Sequence, residues 1–297
     1  MAQVEGTAVG LIGLGLVGSA LAERLLRGGQ RVLGWDIDPA RVTALRQNGC
    51  EGARDGQEVF SRCGRVLLSL PSHREVADVI EAAGGSLRSG LTIIDTTTGD
   101  PASTEEMAAM LAHRGIVYLD ATISGSSAQV RTGSVTLIVG GDADAFAASS
   151  DIFESIGQRT FHTGPAGSGA KMKLVTNLVL GLNRAALAEG LVFAGALGLD
   201  PALSLAVMRG SAAYSRIMDT KGERMVHGDF APDARLSQHL KDVRLIVDIG
   251  RDAGLPMPLS AAHRAVLEDA EAAGCGELDN SAIIKVLTAS GRMRGPT

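Results

Sequence analysis

Two hydrophobic rhythms divide this chain near residue 164. Before it, short apolar runs rich in β-branched residues alternate with stretches of helical period; after it, only the helical period remains. Residues 7–13, 31–36, 65–70, 91–95, 116–120, 135–139 and 158–162 read as buried strands. Helices are expected over 16–27, from Pro39 behind an Asp38 N-cap, over 73–82 and over 101–113. Such alternation predicts an α/β domain with a mostly parallel, doubly wound sheet and right-handed crossovers, spanning 1–164. An all-α domain then follows over 165–297. The joint is one long apolar helix, from about Gly167 to about Leu197, without internal proline. At ~1.5 Å per residue it would span ~45 Å, long enough to serve two domains and to give them an intimate interface.

The first strand runs into Gly13, Leu14, Gly15, Leu16, Val17 and Gly18, a G-x-G-x-x-G at a strand-to-helix turn. That context points to a dinucleotide site. Gly13 allows the tight turn, Gly15 lets the backbone approach a pyrophosphate, and Gly18 allows close helix–strand packing. The helix start then offers free N–H groups and positive dipole to the phosphates. Asp36 ends the second strand, where a carboxylate accepts the adenosine ribose hydroxyls and repels a 2′-phosphate. NAD is therefore expected over NADP, although Arg41 stands where it could reach a 2′-phosphate.

Lys173 and Asn177 lie one turn apart on the long helix, with Gly181 and Arg184 continuing their face. Lys171 has Val175 at the equivalent spacing and reads as a solvated bystander. An ordinary lysine, with a pKa of ~10.4, is protonated at neutral pH, so a role as base requires that value to be depressed.

Composition narrows the partners. The net charge of −5 and the 3% aromatic content give neither a phosphate-binding footprint nor a base-stacking platform, so nucleic acid is not expected. Cys50, Cys63 and Cys275 have no paired spacing and read as reduced thiols of a cytoplasmic protein. The six histidines are scattered, so no metal is expected. Asn177, Asn183, Arg184 and Glu189 interrupt the long helix, so no membrane span is expected either.

Taken together, these segments resemble the β-hydroxyacid dehydrogenase family, which includes 3-hydroxyisobutyrate dehydrogenase and tartronate semialdehyde reductase, over essentially the whole chain. The run from Val9 to Gly18 is similar to the family's cofactor loop. Asp120-Ala-Thr-Ile-Ser124-Gly125 resembles its substrate-binding segment, usually Asp-Ala-Pro-Val-Ser-Gly-Gly. The Gly-x-Gly-x-x-x-Lys-x-x-x-Asn element falls on Gly167, Gly169, Lys173 and Asn177, and Lys241-Asp242 resembles a later motif whose lysine lies by the nicotinamide. Leu70, Pro71 and Thr98 match cofactor-contacting positions.

The resemblance implies a Rossmann domain plus a helical domain, assembled as a homodimer or homotetramer. It also implies NAD(P)-dependent interconversion of a small 3-hydroxy acid and its semialdehyde, with Lys173 as general acid/base. Ser124 and Gly125 would bind the carboxylate, Asn177 would orient the reacting groups, and Lys241 would close over the nicotinamide. Thr122, Ser126, Gln129 and Val130 depart from the family pattern, which leads us to expect extra side-chain bulk beside the carboxylate. Three other readings are an imine-reductase-like enzyme, a class that usually lacks the lysine; a decarboxylating 6-phosphogluconate dehydrogenase, a much longer class needing a phosphate site not found in this sequence; and a non-catalytic dinucleotide-binding protein. Retention of Lys173, Asn177 and Lys241 argues against the last.

Overall fold

The computed structural model describes residues 8–292, so Thr7, where the sequence pattern starts the first strand, lies outside the described residues. The strands are β1 (Val9–Ile12), β2 (Val32–Trp35), β3 (Glu51–Gly52), β4 (Arg65–Leu68), β5 (Thr92–Asp95), β6 (Val117–Ser124), β7 (Thr136–Gly140) and β8 (Arg159–Gly164). They form one sheet in the order β3-β2-β1-β4-β5-β6-β7-β8. β1 to β6 run parallel; β7 is antiparallel to β6, and β8 is parallel to β7.

The strand period of two feeds two cores. Val9 and Leu11 pack with Leu21, Leu25 and Phe153 on one face, while Ile12 packs with Phe60 and Leu68 on the other. With both faces covered, all of β1 is buried, which is why it reads as a continuous apolar run. The sequence reading missed β3, which is only two residues long and carries an exposed glutamate. It also ended β6 at Asp120. Antiparallel pairing with β7, in the register Ser124↔Thr136, carries that strand four residues further.

The long helix runs from Ser168 to Ala196. The chain divides into compact units 1–173 and 174–297, with the division inside this helix. The reason is local: Asp120 at mid-β6 accepts the N–H groups of Gly167 and Ala170 at 2.9 and 2.8 Å, anchoring the helix start on the sheet. A Cβ on Gly169 would lie 2.5 Å from the Asp120 carbonyl oxygen, so the approach needs glycine there. By length and composition this helix could cross a membrane, but Lys173, Asn177 and Arg184 along it are buried by the protein itself.

The second unit is helical. Pro201–Arg209, Leu236–Asp252 and Pro258–Ala270 pack with the latter part of the long helix around Leu187, Leu191, Leu205, Leu240, Val243 and Leu267.

Candidate active site

The carboxyl ends of the parallel strands gather the candidate cofactor residues. Gly13 follows β1, Asp36 follows β2, Leu70 and Pro71 follow β4, and Thr98 follows β5. The order β3-β2-β1-β4 reverses direction between β1 and β4, where doubly wound folds hold their ligands.

The three glycines of the first turn do different things. Gly13 has φ +92°, and a Cβ there would lie 2.2 Å from the Ser69 carbonyl oxygen. A Cβ on Gly18 would lie 1.9 Å from the Gly13 carbonyl oxygen, so this position sets helix–strand contact. Beside Gly15 the nearest atom is Arg41 Nη1, at 3.7 Å from such a Cβ, so its backbone faces open space. Gly15 caps the helix Leu16–Arg27 without any side-chain hydrogen bond, and no acidic residue occupies the first turn. Leu16 is exposed and Val17 half-buried. A cleft of about 320 Å³ opens here, lined by Leu14, Gly15, Leu16 and Arg41 among others. This cradle fits a dinucleotide pyrophosphate on chemical grounds: free helix N-terminal N–H groups, helix dipole and no acidic residue in the helix's first turn.

Asp36 is buried, and its oxygens already accept the Leu14 and Asp38 N–H groups at 2.6 and 2.9 Å. The Arg41 guanidinium stands 3.4 Å away. The carboxylate thus locks the glycine turn to the end of β2, and its remaining lone pairs are what it can offer a ribose. Asp38 caps the following helix by accepting from Ala40 N–H, as its position before Pro39 predicts.

A buried polar relay, missed from sequence, supports the next two loops. The Tyr118 hydroxyl donates to Asp95 at 2.5 Å, the Thr97 N–H donates to the same carboxyl, and the Leu70 N–H donates to Thr97 Oγ1 at 3.2 Å. Burial pushes the Asp95 carboxyl and the Tyr118 phenol up. Thr98 follows this relay half-buried, and Pro71 is exposed.

Lys173 is 9% exposed, and its ammonium nitrogen donates to the Ile123 carbonyl oxygen at 2.7 Å. The next residues are Ser124, the last of β6, and Gly125, whose φ of +153° and 2.6 Å approach to Val135 exclude a side chain. Lysine and strand end thus meet within the first unit. Lys171 points elsewhere, pairing at 2.6 Å with Glu105 on the surface.

Of the four side chains expected as bulk beside Ser124, Gln129 stays close, its Oε1 3.2 Å from where a Cβ on Gly125 would lie. Ser126 and Gln129 face each other in a capping box that starts the short helix Ser127–Thr132, and Val130 is fully buried in the core. Thr122 shares the Asp120 face of β6 and turns its hydroxyl to the Ile138 and Gly169 carbonyls. Thr122 and Val130 are absorbed by the fold, whereas Ser126 and Gln129 stay half-exposed next to Gly125.

In the second unit, Asn177 is buried and donates through Nδ2 to Asp242 at 2.9 Å. Lys241, beside it in sequence, is exposed. Asp242 was legible only as the neighbour of that lysine. Arg209 and Tyr214 are engaged by Glu223 and Asp219 at the surface.

Comparison with known proteins agrees with this architecture. Residues 8–164 match the NAD binding domain of 6-phosphogluconate dehydrogenase, and residues 167–287 match the NAD-binding segment of NADP-dependent 3-hydroxyisobutyrate dehydrogenase. 2-(Hydroxymethyl)glutarate dehydrogenase of Eubacterium barkeri is 34% identical over 94% of both chains. The chain belongs to the β-hydroxyacid dehydrogenase family. It is an NAD(P)-dependent oxidoreductase of that family. The crystal structure of 3-hydroxyisobutyrate dehydrogenase from Salmonella typhimurium superposes with a TM-score of 0.86, at 25% identity over 95% of this chain and 100% of that one. An imine reductase from Pseudomonas sp., also 25% identical over 95% and 100%, reaches 0.62.

Proposed function

We propose that this β-hydroxyacid dehydrogenase interconverts a small 3-hydroxy acid and its semialdehyde, with NAD as the cofactor and Lys173 as general acid/base. The observation that carries the reading is Lys173 itself. It is an almost fully buried lysine whose ammonium is held at 2.7 Å by the Ile123 carbonyl, directly before Ser124. A flexible four-carbon stem so restrained is pre-organised for proton transfer rather than for solvation.

When bound, the nicotinamide supplies the hydride acceptor at C4, or the donor in the reverse direction. The chain's residues do the rest. The Ser124 hydroxyl and the Gly125 N–H, at a strand end where glycine leaves no side chain, bind the substrate carboxylate. As the neutral amine Lys173 takes the hydroxyl proton while the carbinol C–H hydride leaves, and as the ammonium it returns that proton to the carbonyl oxygen on reduction. Asn177, one turn further along the helix with its amide nitrogen committed to Asp242, presents its carboxamide in one orientation. For the cofactor, the buried carboxylate of Asp36 disfavours a 2′-phosphate, which supports NAD.

A panel of 3-hydroxy acids assayed with NAD and NADP tests this reading. Turnover of at least one with NAD is expected; failure of every member with either cofactor would reject it. Our reading of the partner is a small hydroxy acid with one carboxylate seated at Ser124.

A further inference from the structure

The segment after β6 carries a polar side chain that departs from the family pattern and that the proposed reaction does not use. Gln129 stands on the short helix Ser127–Thr132. Its Oε1 accepts the Ser126 N–H at 2.9 Å and lies 3.2 Å from where a Cβ on Gly125 would be. The Ser126 hydroxyl completes the capping box by accepting the Gln129 N–H at 3.3 Å. The carboxamide is thereby held against the Gly125–Ser126 backbone.

This arrangement changes which donors a ligand meets. The Ser126 N–H, a backbone donor two residues beyond Ser124, is committed to Gln129 and withdrawn from any anion. A carboxamide has an acceptor on one arm and two donor hydrogens on the other. With Oε1 taken, the Nε2 arm is the free one: no hydrogen bond within the described residues engages it, and it is not closed off from solvent. Ser124 and Gln129 are both half-exposed, and Gly125, adjacent to each, is exposed.

We propose that Gln129 determines specificity for the substrate carboxylate, its Nε2 replacing the Ser126 N–H as a donor beside the Ser124 hydroxyl and the Gly125 N–H. The inference rests on the seating of the carboxylate at Ser124 and adds the donor that makes the seat selective. Hydrogen bonds from neutral donors to a charged acceptor are the stronger kind. Because Oε1 is already anchored, little side-chain freedom is lost when the ligand arrives. A carboxylate, which only accepts, satisfies all three donors, whereas a carboxamide in its place turns its own donors on one of them. The seat therefore selects free acids over their amides.

The test uses the full chain saturated with NADH, so that a 3-hydroxy acid binds without reacting, and isothermal titration of 3-hydroxypropanoate and 3-hydroxypropanamide. In Gln129→Glu one carboxylate oxygen still accepts the Ser126 N–H, as glutamate does in a capping box, while the other puts negative charge where Nε2 stood. We expect the Kd of 3-hydroxypropanoate to rise by about tenfold or more, that of 3-hydroxypropanamide not to rise, and Tm to change little. An unchanged Kd for the acid, or an equal rise for both ligands, would overturn the proposal. Ser124→Ala separates it from the reading beneath it. Acid binding weakened by Ser124→Ala and not by Gln129→Glu rejects Gln129 alone. Acid binding indifferent to Ser124→Ala, or absent from the unaltered protein, rejects the seat and the inference together. Should Gln129→Glu not fold, side-chain amide NMR of the unaltered protein decides. The Gln129 NH₂ signals should move saturably with 3-hydroxypropanoate, and signals indifferent to it would refute the contact.

Discussion

Lys173 Nζ donates to the Ile123 carbonyl oxygen at 2.7 Å, joining the start of the long helix to the end of β6. Because Ser124 and Gly125 follow Ile123 directly, one hydrogen bond sets the lysine beside the proposed carboxylate site. Replacing Lys173 with Met should therefore lower kcat by about 10²- to 10⁴-fold, the usual contribution of a positioned acid or base. The NAD dissociation constant should stay nearly unchanged, because the glycine turn and Asp36 are untouched. Steady-state kinetics and equilibrium NAD titration check this; substantial residual turnover would remove Lys173 from its role.

The glycines of the cofactor turn should separate stability from binding. Gly18→Ala forces a methyl to within 1.9 Å of the Gly13 carbonyl oxygen and should cost about 3 kcal/mol or more, seen as a lower Tm. Gly15→Ala meets nothing closer than 3.7 Å, so its Tm should shift little. Its NAD dissociation constant should rise by about tenfold or more, because the methyl takes the space of the pyrophosphate. Equal effects of the two substitutions would contradict this division of labour.

Cofactor choice rests on Asp36 and its neighbour Arg41, which stand 3.4 Å apart. Asp36→Ser removes the charge opposing a 2′-phosphate and releases the guanidinium to meet one. The ratio of kcat/KM for NAD over NADP should exceed one in the unaltered protein and fall by about tenfold or more in the variant. The Leu14 N–H also loses its acceptor, so the variant should be about 1–3 kcal/mol less stable. An unaltered enzyme that prefers NADPH would refute the role given to Asp36.

Acid sensitivity should have an identifiable source in the helical unit. Burial, with the Arg184 charge nearby, pushes His263 from 6.5 down to about 4. Between those values the unfolded chain binds the proton and the folded one does not, so this group's contribution to stability is lost as pH falls through that window. The displacement corresponds to about 3 kcal/mol by pH 4. Asp95 and Asp120, whose carboxyls burial pushes up, act in the opposite sense and lose stability as pH rises. The unfolding free energy from urea titration of the unaltered protein should therefore fall by about that amount relative to His263→Leu between pH 7 and pH 4. Parallel curves would show that His263 is not the titrating group.

Asn177 and Asp242 give a structural counterpart. Asn177→Ala deletes the 2.9 Å bond to a buried carboxylate and should destabilise the protein by roughly 1.5–3 kcal/mol. A double-mutant cycle with Asp242→Asn should show coupling between the two positions.

What the sequence determined by itself was whatever depends on local pattern. The period-two apolar runs announced the strands, the Asp38-Pro39 pair announced a helix start, and the G-x-G-x-x-G announced a turn that only glycine can make. The same logic fails at β3, where two residues carry no period, and at the far end of β6, where length comes from pairing with β7. It fails again at Thr122 and Val130, whose bulk was expected at the substrate and is spent on the core. Only the tertiary structure decided which polar atoms meet. Lys173 finds a carbonyl 50 residues away, Asn177 a carboxylate 65 residues away, and Arg184 no carboxylate within bonding distance. The physical reason is that propensity and periodicity act over one or two turns of chain, whereas burial and hydrogen-bond partnership are properties of packed surfaces.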